Sequence, residues 1–208
     1  MDFLTPDLSG LERAVSVLRS GGVLAFPTDT VYGLAARAGD ERAMRRIYEL
    51  KGRDSSQPLI LMLADSAGVG RWARPSLAAR GAMERFWPGP LTLVLPAARG
   101  VRPPLAAGKP RSIGVRVPDH ALALRLLERV PEGLATTSAN RSGAPPALTA
   151  LEAASLPGVD AVLDGGPVPG GQASTVLDLT RVRGQILRPG PVVATELAAY
   201  LSSPPDPI

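Results

Sequence analysis

At 208 residues the chain has the length of one ordinary domain, and its 45% hydrophobic content is enough for a sizeable core. The absence of cysteine excludes disulfides and thiolate metal sites, and the clearest apolar run, residues 59–64, is far too short to cross a bilayer. A pI of about 10.1 accompanies a net charge of only +4, so nucleic-acid contact is permitted but not indicated, and 4% aromatic residues argue against a base-stacking platform for single-stranded RNA.

Residues 1–7 form an entry segment without the basic-then-apolar pattern of a signal peptide, and the expected location is the cytoplasm. Leu8, Leu11, Ala14, Val15 and Leu18 recur at helical spacing and mark an amphipathic helix, stopped by Gly21-Gly22. A strand over 23–26 ends at Pro27 and opens into Thr28-Asp29-Thr30, short oxygen-bearing side chains that bond their own backbone and favour turns. After Gly33, a helix over 40–50 carries Asp40 at its N-cap and Ala43, Met44, Ile47 and Leu50 on its apolar side. It runs into Lys51-Gly52-Arg53, and a buried strand over 59–63 follows.

Residues 65–87 read as helical with a break near Pro75, the part from Ser76 being the stronger, and Pro88-Gly89-Pro90 ends them. A strand over 91–95 gives way to a loop over 96–111, long enough for a lid or a binding loop. A strand over 112–117 precedes a helix from Pro118 to about residue 130, with Asp119 expected as its cap. A short strand over 134–137 leads into Ser138-Ala139-Asn140. A loop over 141–148, a helix over 151–156, strands over 161–163, 175–179 and 185–187, and a helix over 196–201 complete the pattern. Residues 165–171, rich in glycine and proline, form a loop between two of these strands. The proline-rich tail, 202–208, is expected to be disordered. Alternating strands and helices at irregular intervals imply an α/β fold with an open, strongly twisted mixed sheet flanked by helices, in a single domain over 1–201.

The chemistry-bearing residues are cations and hydroxyls at strand ends. His120, the lone histidine, follows a helix-starting Pro-Asp and reads as a capping or solvent-side residue. No Walker-type loop or dinucleotide glycine fingerprint is present. Thr30, Lys51, Arg53, Thr92, Arg116, Ser138, Asn140, Ser174 and Arg188 remain, a set suited to orienting and neutralising an anion, as in nucleotidyl transfer. Only Lys51 and Lys109 are lysines among 23 Lys and Arg, so Lys51 stands out in an arginine-dominated composition. On spacing alone a second reading stays open. Lys51 and Arg53 would then only offset a helix dipole, the threonines and Ser138-Ala139-Asn140 would only shape turns, and Arg116 and Arg188 would be rim arginines.

Six strings fall in order over roughly residues 10–192: Pro27-Thr28-Asp29-Thr30-Val31-Tyr32-Gly33-Leu34 with Lys51-Gly52-Arg53 and Pro58-Leu59; Trp87-Pro88-Gly89-Pro90-Leu91-Thr92; Val115-Arg116-Val117-Pro118; Thr137-Ser138-Ala139-Asn140-Arg141-Ser142-Gly143; Ser174-Thr175-Val176; and Leu187-Arg188-Pro189-Gly190. Together they resemble the YrdC domain of threonylcarbamoyl-AMP synthases. The resemblance implies an open twisted sheet with a concave, positively charged surface. It also implies synthesis of L-threonylcarbamoyl-AMP from L-threonine, bicarbonate and ATP, with Mg²⁺ on the phosphates and pyrophosphate released. The product would pass to a transferase complex that modifies the tRNA adenosine next to the anticodon, and direct tRNA contact is left open. Motif for motif, threonine would lie near Thr30, Arg116, Ser138 and Ser174. ATP would be held by Lys51, Arg53, Gln57, Thr92, Asn140, Ser142 and Arg188, with Lys51 and Arg53 closest to the chemistry. Gln57, Met62 and Ala173 depart from residues that some members carry there (Asn, His and Glu). The length resembles the short, single-domain members. The alternatives are a non-catalytic RNA-binding module of the same fold and a carbamoyl-transfer paralogue with another acceptor.

Overall fold

Side chains along the central strands point alternately into two separate apolar cores, and the helices divide between them. The computed structural model describes residues 1–54, 57–101, 103–107, 111–181 and 183–202. In chain order the strands are β1 (Asp2–Leu4), β2 (Leu24–Phe26), β3 (Gly33–Arg37), β4 (Ile60–Met62), β5 (Leu91–Pro96), β6 (Ala106–Ala107), β7 (Ser112–Arg116), β8 (Leu134–Ser138), β9 (Ala161–Leu163), β10 (Thr175–Asp178) and β11 (Gln185–Arg188). The helices are α1 (Leu8–Arg19), α2 (Glu41–Lys51), α3 (Val69–Trp72), α4 (Leu77–Phe86), α5 (Ala121–Leu127), α6 (Ala150–Ala154) and α7 (Ala198–Ser202). All the strands join one sheet in the order β1-β9-β2-β3-β8-β4-β7-β5-β10-β11, with β6 paired to β7. Pairing is parallel at β1/β9, β2/β9, β4/β7 and β5/β10 and antiparallel elsewhere, which makes it the expected mixed α/β sheet.

Leu24 and Phe26 of β2, Ala35 of β3, Met62 of β4 and Leu134 of β8 share one core with Leu11, Ala14 and Leu18 of α1 and Leu122 and Leu126 of α5. Their neighbours Ala25, Leu34, Ala36, Leu61 and Ala135 share the other with α2, α4 and α6. The period of two along each strand thus sets α1 and α5 on one side of the sheet and α2, α4 and α6 on the other. Each fully buried leucine in these layers contributes about 1.5–3 kcal/mol of transfer free energy.

Local chemistry accounts for the helix ends. Asp7, Asp40 and Ser76 cap α1, α2 and α4 by accepting from Gly10 N (2.8 Å), Ala43 N (2.9 Å) and Ala79 N (3.2 Å). Gly52 closes α2 at φ 58°, a left-handed angle that few other residues adopt cheaply. Thr149 and Glu152 form a reciprocal capping box on α6.

Several boundaries differ from expectation. The cap of α5 is His120, whose Nδ1 accepts from Ala123 N at 3.4 Å, not Asp119, and the helix ends at Leu127. The entry segment contributes β1, because its backbone adds in parallel to β9. The strand β3 was not expected: its Gly-Leu-Ala-Ala-Arg run is buried on both faces, so it carries no polar alternation and little β-branched character. Within the loop over 96–111, Ala106–Ala107 pairs with β7, and Ala97 bridges Ala73. The last helix starts at Ala198 rather than Glu196. The tail over 203–208 lies outside the described residues, as does Lys109.

Asp40→Ala removes the acceptor for the first turn of α2 and is expected to lower unfolding stability by about 0.5–2 kcal/mol in urea titration, with an unchanged m-value.

Candidate active site

The face of the sheet that carries the α1/α5 core becomes polar where those helices leave it. Along β5, Leu91, Leu93 and Leu95 enter the opposite core, so Thr92 turns to this face. The same parity exposes Ile60 and Met62 of β4, Arg116 of β7, and Thr136 and Ser138 of β8. Gly33 opens β3 beside Ser138, and Gly114 leaves room between Ile60 and Thr92. The resulting cleft is closed at its ends by Thr28 and Thr30, by Arg53 and Pro58, and by Ala173, Ser174 and Arg188.

The centre of the cleft is Arg116, only 3% exposed. Its Nη2 donates to Asp29 Oδ1 at 2.5 Å, its Nη1 to Thr30 Oγ1 at 3.0 Å and its Nε to Gly89 O at 3.0 Å. Burial lowers its pKa from the ordinary arginine value, and the Asp29 carboxylate opposes that shift. Asp29 Oδ2 is buried without a partner. The turn that presents Thr30 is built by Thr28, whose Oγ1 donates to Val31 O (2.6 Å) and accepts from the amides of Thr30 and Val31 (3.2 Å each).

Gly170 lies against this turn so closely that a Cβ there would sit 1.5 Å from Thr30 O. The glycine-rich segment is held further by Tyr32, whose hydroxyl donates to Gly166 O at 2.7 Å and accepts from Gly165 N. On the other flank Thr92 and Ser174 share a 2.8 Å hydroxyl contact. Arg188 donates to Ser174 O from Nε (3.0 Å) and Nη2 (2.8 Å), and Nη2 also reaches Ser174 Oγ. Arg53 donates from Nη1 to Thr137 Oγ1 at 2.7 Å, and its buried Nε has no partner. The Arg188 pKa is lowered by burial first and then by the charges of Arg116 and Arg53. Three guanidiniums therefore crowd one another around hydroxyls and a single paired carboxylate, an arrangement that a bound anion relieves.

Of the expected residues, Thr30, Arg53, Arg116, Ser138, Ser174 and Arg188 line the cleft together, and Thr92 supports Ser174. Lys51 stands behind the wall. Its ammonium donates to Ser138 O (2.6 Å), Asn140 O (2.7 Å) and Asn140 Oδ1 (3.0 Å), so its three donors are occupied by one turn. Asn140 also accepts from Ser138 Oγ and donates to Arg141 O and Ala144 O, and it lines a second depression with residues 144–148 and Glu152. Ser142 is exposed, and its amide donates to Lys51 O. Gln57 is exposed, and its carbonyl accepts from Tyr48. Lys51 and Asn140 thus meet at the turn after Ser138, behind the wall of the cleft that Arg116 lines. Thr136 and Thr137 line the cleft without having been expected there. The signal available was their place two and one residues before Ser138 on a strand whose partner residues are apolar.

Burial, with a smaller push from Arg53, lowers the Lys51 pKa to about 8. The unfolded chain therefore binds a proton that the folded chain has lost between about pH 8 and the ordinary lysine value of 10.5. The Lys51 contribution to stability is lowest below pH 8 and is expected to rise across that interval. Unfolding free energies of the parent and of Lys51→Met, measured by denaturant at pH 7 to 10.5, should diverge with that sign.

A family model described as Sua5/YciO/YrdC, telomere recombination, matches residues 16–190. A threonylcarbamoyl-AMP synthase of Bacillus subtilis (strain 168) is 38% identical over 203 residues, 96% of this chain and 59% of that protein. Among solved structures, P. abyssi Sua5 complexed with L-threonine superposes with a TM-score of 0.89 at 36% identity over 98% of this chain and 61% of that one. E. coli YciO superposes with a TM-score of 0.85 at 28% identity over 96% of this chain and 98% of that one. The chain thus spans about three fifths of the length of the Bacillus subtilis and P. abyssi proteins.

Proposed function

Because this chain belongs to the Sua5/YciO/YrdC family, we propose that its cleft joins L-threonine, bicarbonate and ATP into L-threonylcarbamoyl-AMP. The observation that carries this reading is the convergence of Arg53, Arg116 and Arg188 on one hydroxyl-lined cleft. In the reaction the threonine amine bonds to the bicarbonate carbon as water leaves. A carbamate oxygen bonds to the α-phosphorus as the bond to the β-phosphate breaks, and pyrophosphate departs. Every reactant but the amine is an anion, so charge neutralisation and alignment carry the rate.

Arg116 takes the threonine carboxylate, held in place by Asp29 and Gly89. Thr30, Ser138 and Ser174 offer hydroxyls to the other threonine groups. Arg53 and Arg188 face the phosphates. Asn140, Ser142 and Gln57 belong to the nucleotide side, which extends past the turn at Ser138 into the depression along residues 144–148. Thr92 acts through Ser174. Lys51 acts by fixing the turn and by holding a positive charge behind it. Among the described residues no trio of His, Cys, Asp or Glu is placed to hold a metal ion, and Asp29 is committed to Arg116. These side chains therefore offer no all-protein cage for Mg²⁺. An ion of that kind would travel on the nucleotide, and no step here depends on it. The product is destined for a tRNA threonylcarbamoyl transferase complex in the cytoplasm. No described helix is long and apolar enough to cross a membrane.

Pyrophosphate release from ATP is expected to require both threonine and bicarbonate, with omission of either reducing it to background. Release independent of both would sink the synthase reading and favour a paralogous transfer reaction. Arg116→Ala is expected to weaken threonine binding by about 1.5–3 kcal/mol in calorimetry while leaving ATP affinity within a few-fold of the parent.

A further inference from the structure

The polar side chains of the cleft surround a strip that has none to spare. The strip consists of Ile60 and Met62 on β4 and Thr136 beside them on β8. Ile60 carries no hydrogen-bonding group in its side chain, and Met62 offers only a weakly accepting sulfur. Thr136 spends its hydroxyl by donating to Ile60 O at 3.0 Å. The hydroxyls and guanidiniums that could read polar groups lie around this strip, on Thr30, Arg53, Arg116, Ser138, Ser174 and Arg188. A small amphipathic ligand therefore meets polar partners at its charged ends and an apolar surface along part of its length.

Within the strip Met62 is distinguished by its place. It is the Cα partner of Arg116 on the parallel neighbour β7, and the two strands run about 4.8 Å apart. On its other side it pairs with Leu134 of β8, which belongs to the α1/α5 core and does not line the cleft. Met62 belongs to both, the last side chain of that core and the first of the cleft, and it is only 6% exposed. The other apolar lining residues sit elsewhere. Ile60 lies opposite Gly114, two residues further from Arg116 along β4, and Pro58 lies beyond it. Val31 and Ala173 belong to the segments that close the ends of the cleft. Among the described lining residues Met62 is thus the apolar side chain in register with the buried arginine. Its thioether is polarisable and adaptable, which suits close contact with a small apolar group.

We propose that Met62 is the specificity-determining residue of the amino-acid subsite, packing on the β-methyl of threonine and so selecting threonine over serine. This rests on the function proposed above, in which Arg116 takes the threonine carboxylate. With the carboxylate held there, and the amine and hydroxyl turned to Thr30, Ser138 and Ser174, the methyl is the group of threonine left without a polar partner. The strip on β4 is where it can be buried without desolvating a free polar side chain. Serine leaves that contact unmade. A site that read only the carboxylate, amine and hydroxyl would hold the two amino acids alike.

The experiment titrates the full chain by calorimetry with three amino acids: L-threonine, L-serine, which lacks the methyl, and L-2-aminobutyrate, which keeps the methyl and lacks the hydroxyl. The parent is expected to bind threonine about tenfold or more tighter than serine, as one missing carbon gives in an apolar pocket. Met62→Ala should weaken threonine and 2-aminobutyrate together by about tenfold and leave serine within about twofold, so the preference collapses. Met62→Val is shorter but suits a strand, and it serves where the alanine variant does not fold. It should lower the preference part of the way, whereas Met62→Leu, nearly equal in volume, should keep it. Leu134→Val trims the adjoining core residue outside the cleft and should leave the threonine-to-serine ratio at the parent value. Equal losses for threonine and serine in the Met62 variants, as loosened packing alone would give, overturn the proposal. A parent that binds the two alike overturns it as well. The expected binding pattern without pyrophosphate release from ATP would count against the synthase reading and leave the role of Met62 standing. No threonine binding by the parent overturns both.

Discussion

A buried arginine at the end of a strand is the constraint around which this molecule is arranged. Removing Arg116 from water is costly, and the cost is tolerable only because Asp29, Thr30 and the Gly89 carbonyl meet its guanidinium. Those partners come from the turn between β2 and β3 and from the segment before β5, so satisfying one charge draws three parts of the chain together. The Thr28-centred turn exists to present those oxygens, and the glycine-rich segment ahead of β10 is pressed against that turn in its place. A network of this kind is worth more intact than the sum of its pairs, because each unpaired member would be a buried polar group without a partner. The unpartnered Asp29 Oδ2 is the one acceptor in it left open.

The two-sided sheet explains how such a polar centre coexists with a large core. Alternation gives β5 and β7 one apolar face (Leu91, Leu93 and Leu95; Ile113 and Val115), while on the other face of the sheet β8 passes from Leu134 in the α1/α5 core to Thr136 and Ser138 in the cleft. The site is therefore not an addition to the fold. It is the uncovered part of a surface whose covered part is core. Lys51 performs a related task from the other side, carrying the end of α2 onto the turn that follows β8.

Much of this was legible in the residues. Asp40 announced a helix start through its side-chain acceptor, and Gly52 a helix end through its backbone freedom, each acting within a few residues. The strand-end hydroxyls and arginines that line the cleft were identifiable by type and by their order in the chain. What escaped was whatever depended on partners distant in sequence. β1 and β3 are strands because β9, β2 and β8 lie alongside them, and their own composition hardly favours it. His120 outcompeted Asp119 for the cap because the helix begins one residue later than the Pro-Asp pair suggested. The position of Lys51 behind the wall depends on a turn nearly ninety residues away. Spacing marks such a lysine as unusual but cannot say which oxygens it will meet.

The approach of Gly170 to the Thr30 carbonyl has a bearing on how freely this site could be remodelled. On that flank two backbones touch with no side chain between them, so there is no residue whose trimming would enlarge the space and none whose growth could be absorbed. Adaptation to a bulkier ligand would draw instead on lining side chains of adjustable size, such as Met62 and Ala173. A scaffold of this kind is rigid toward some substrates and negotiable toward others, depending on which wall they press against.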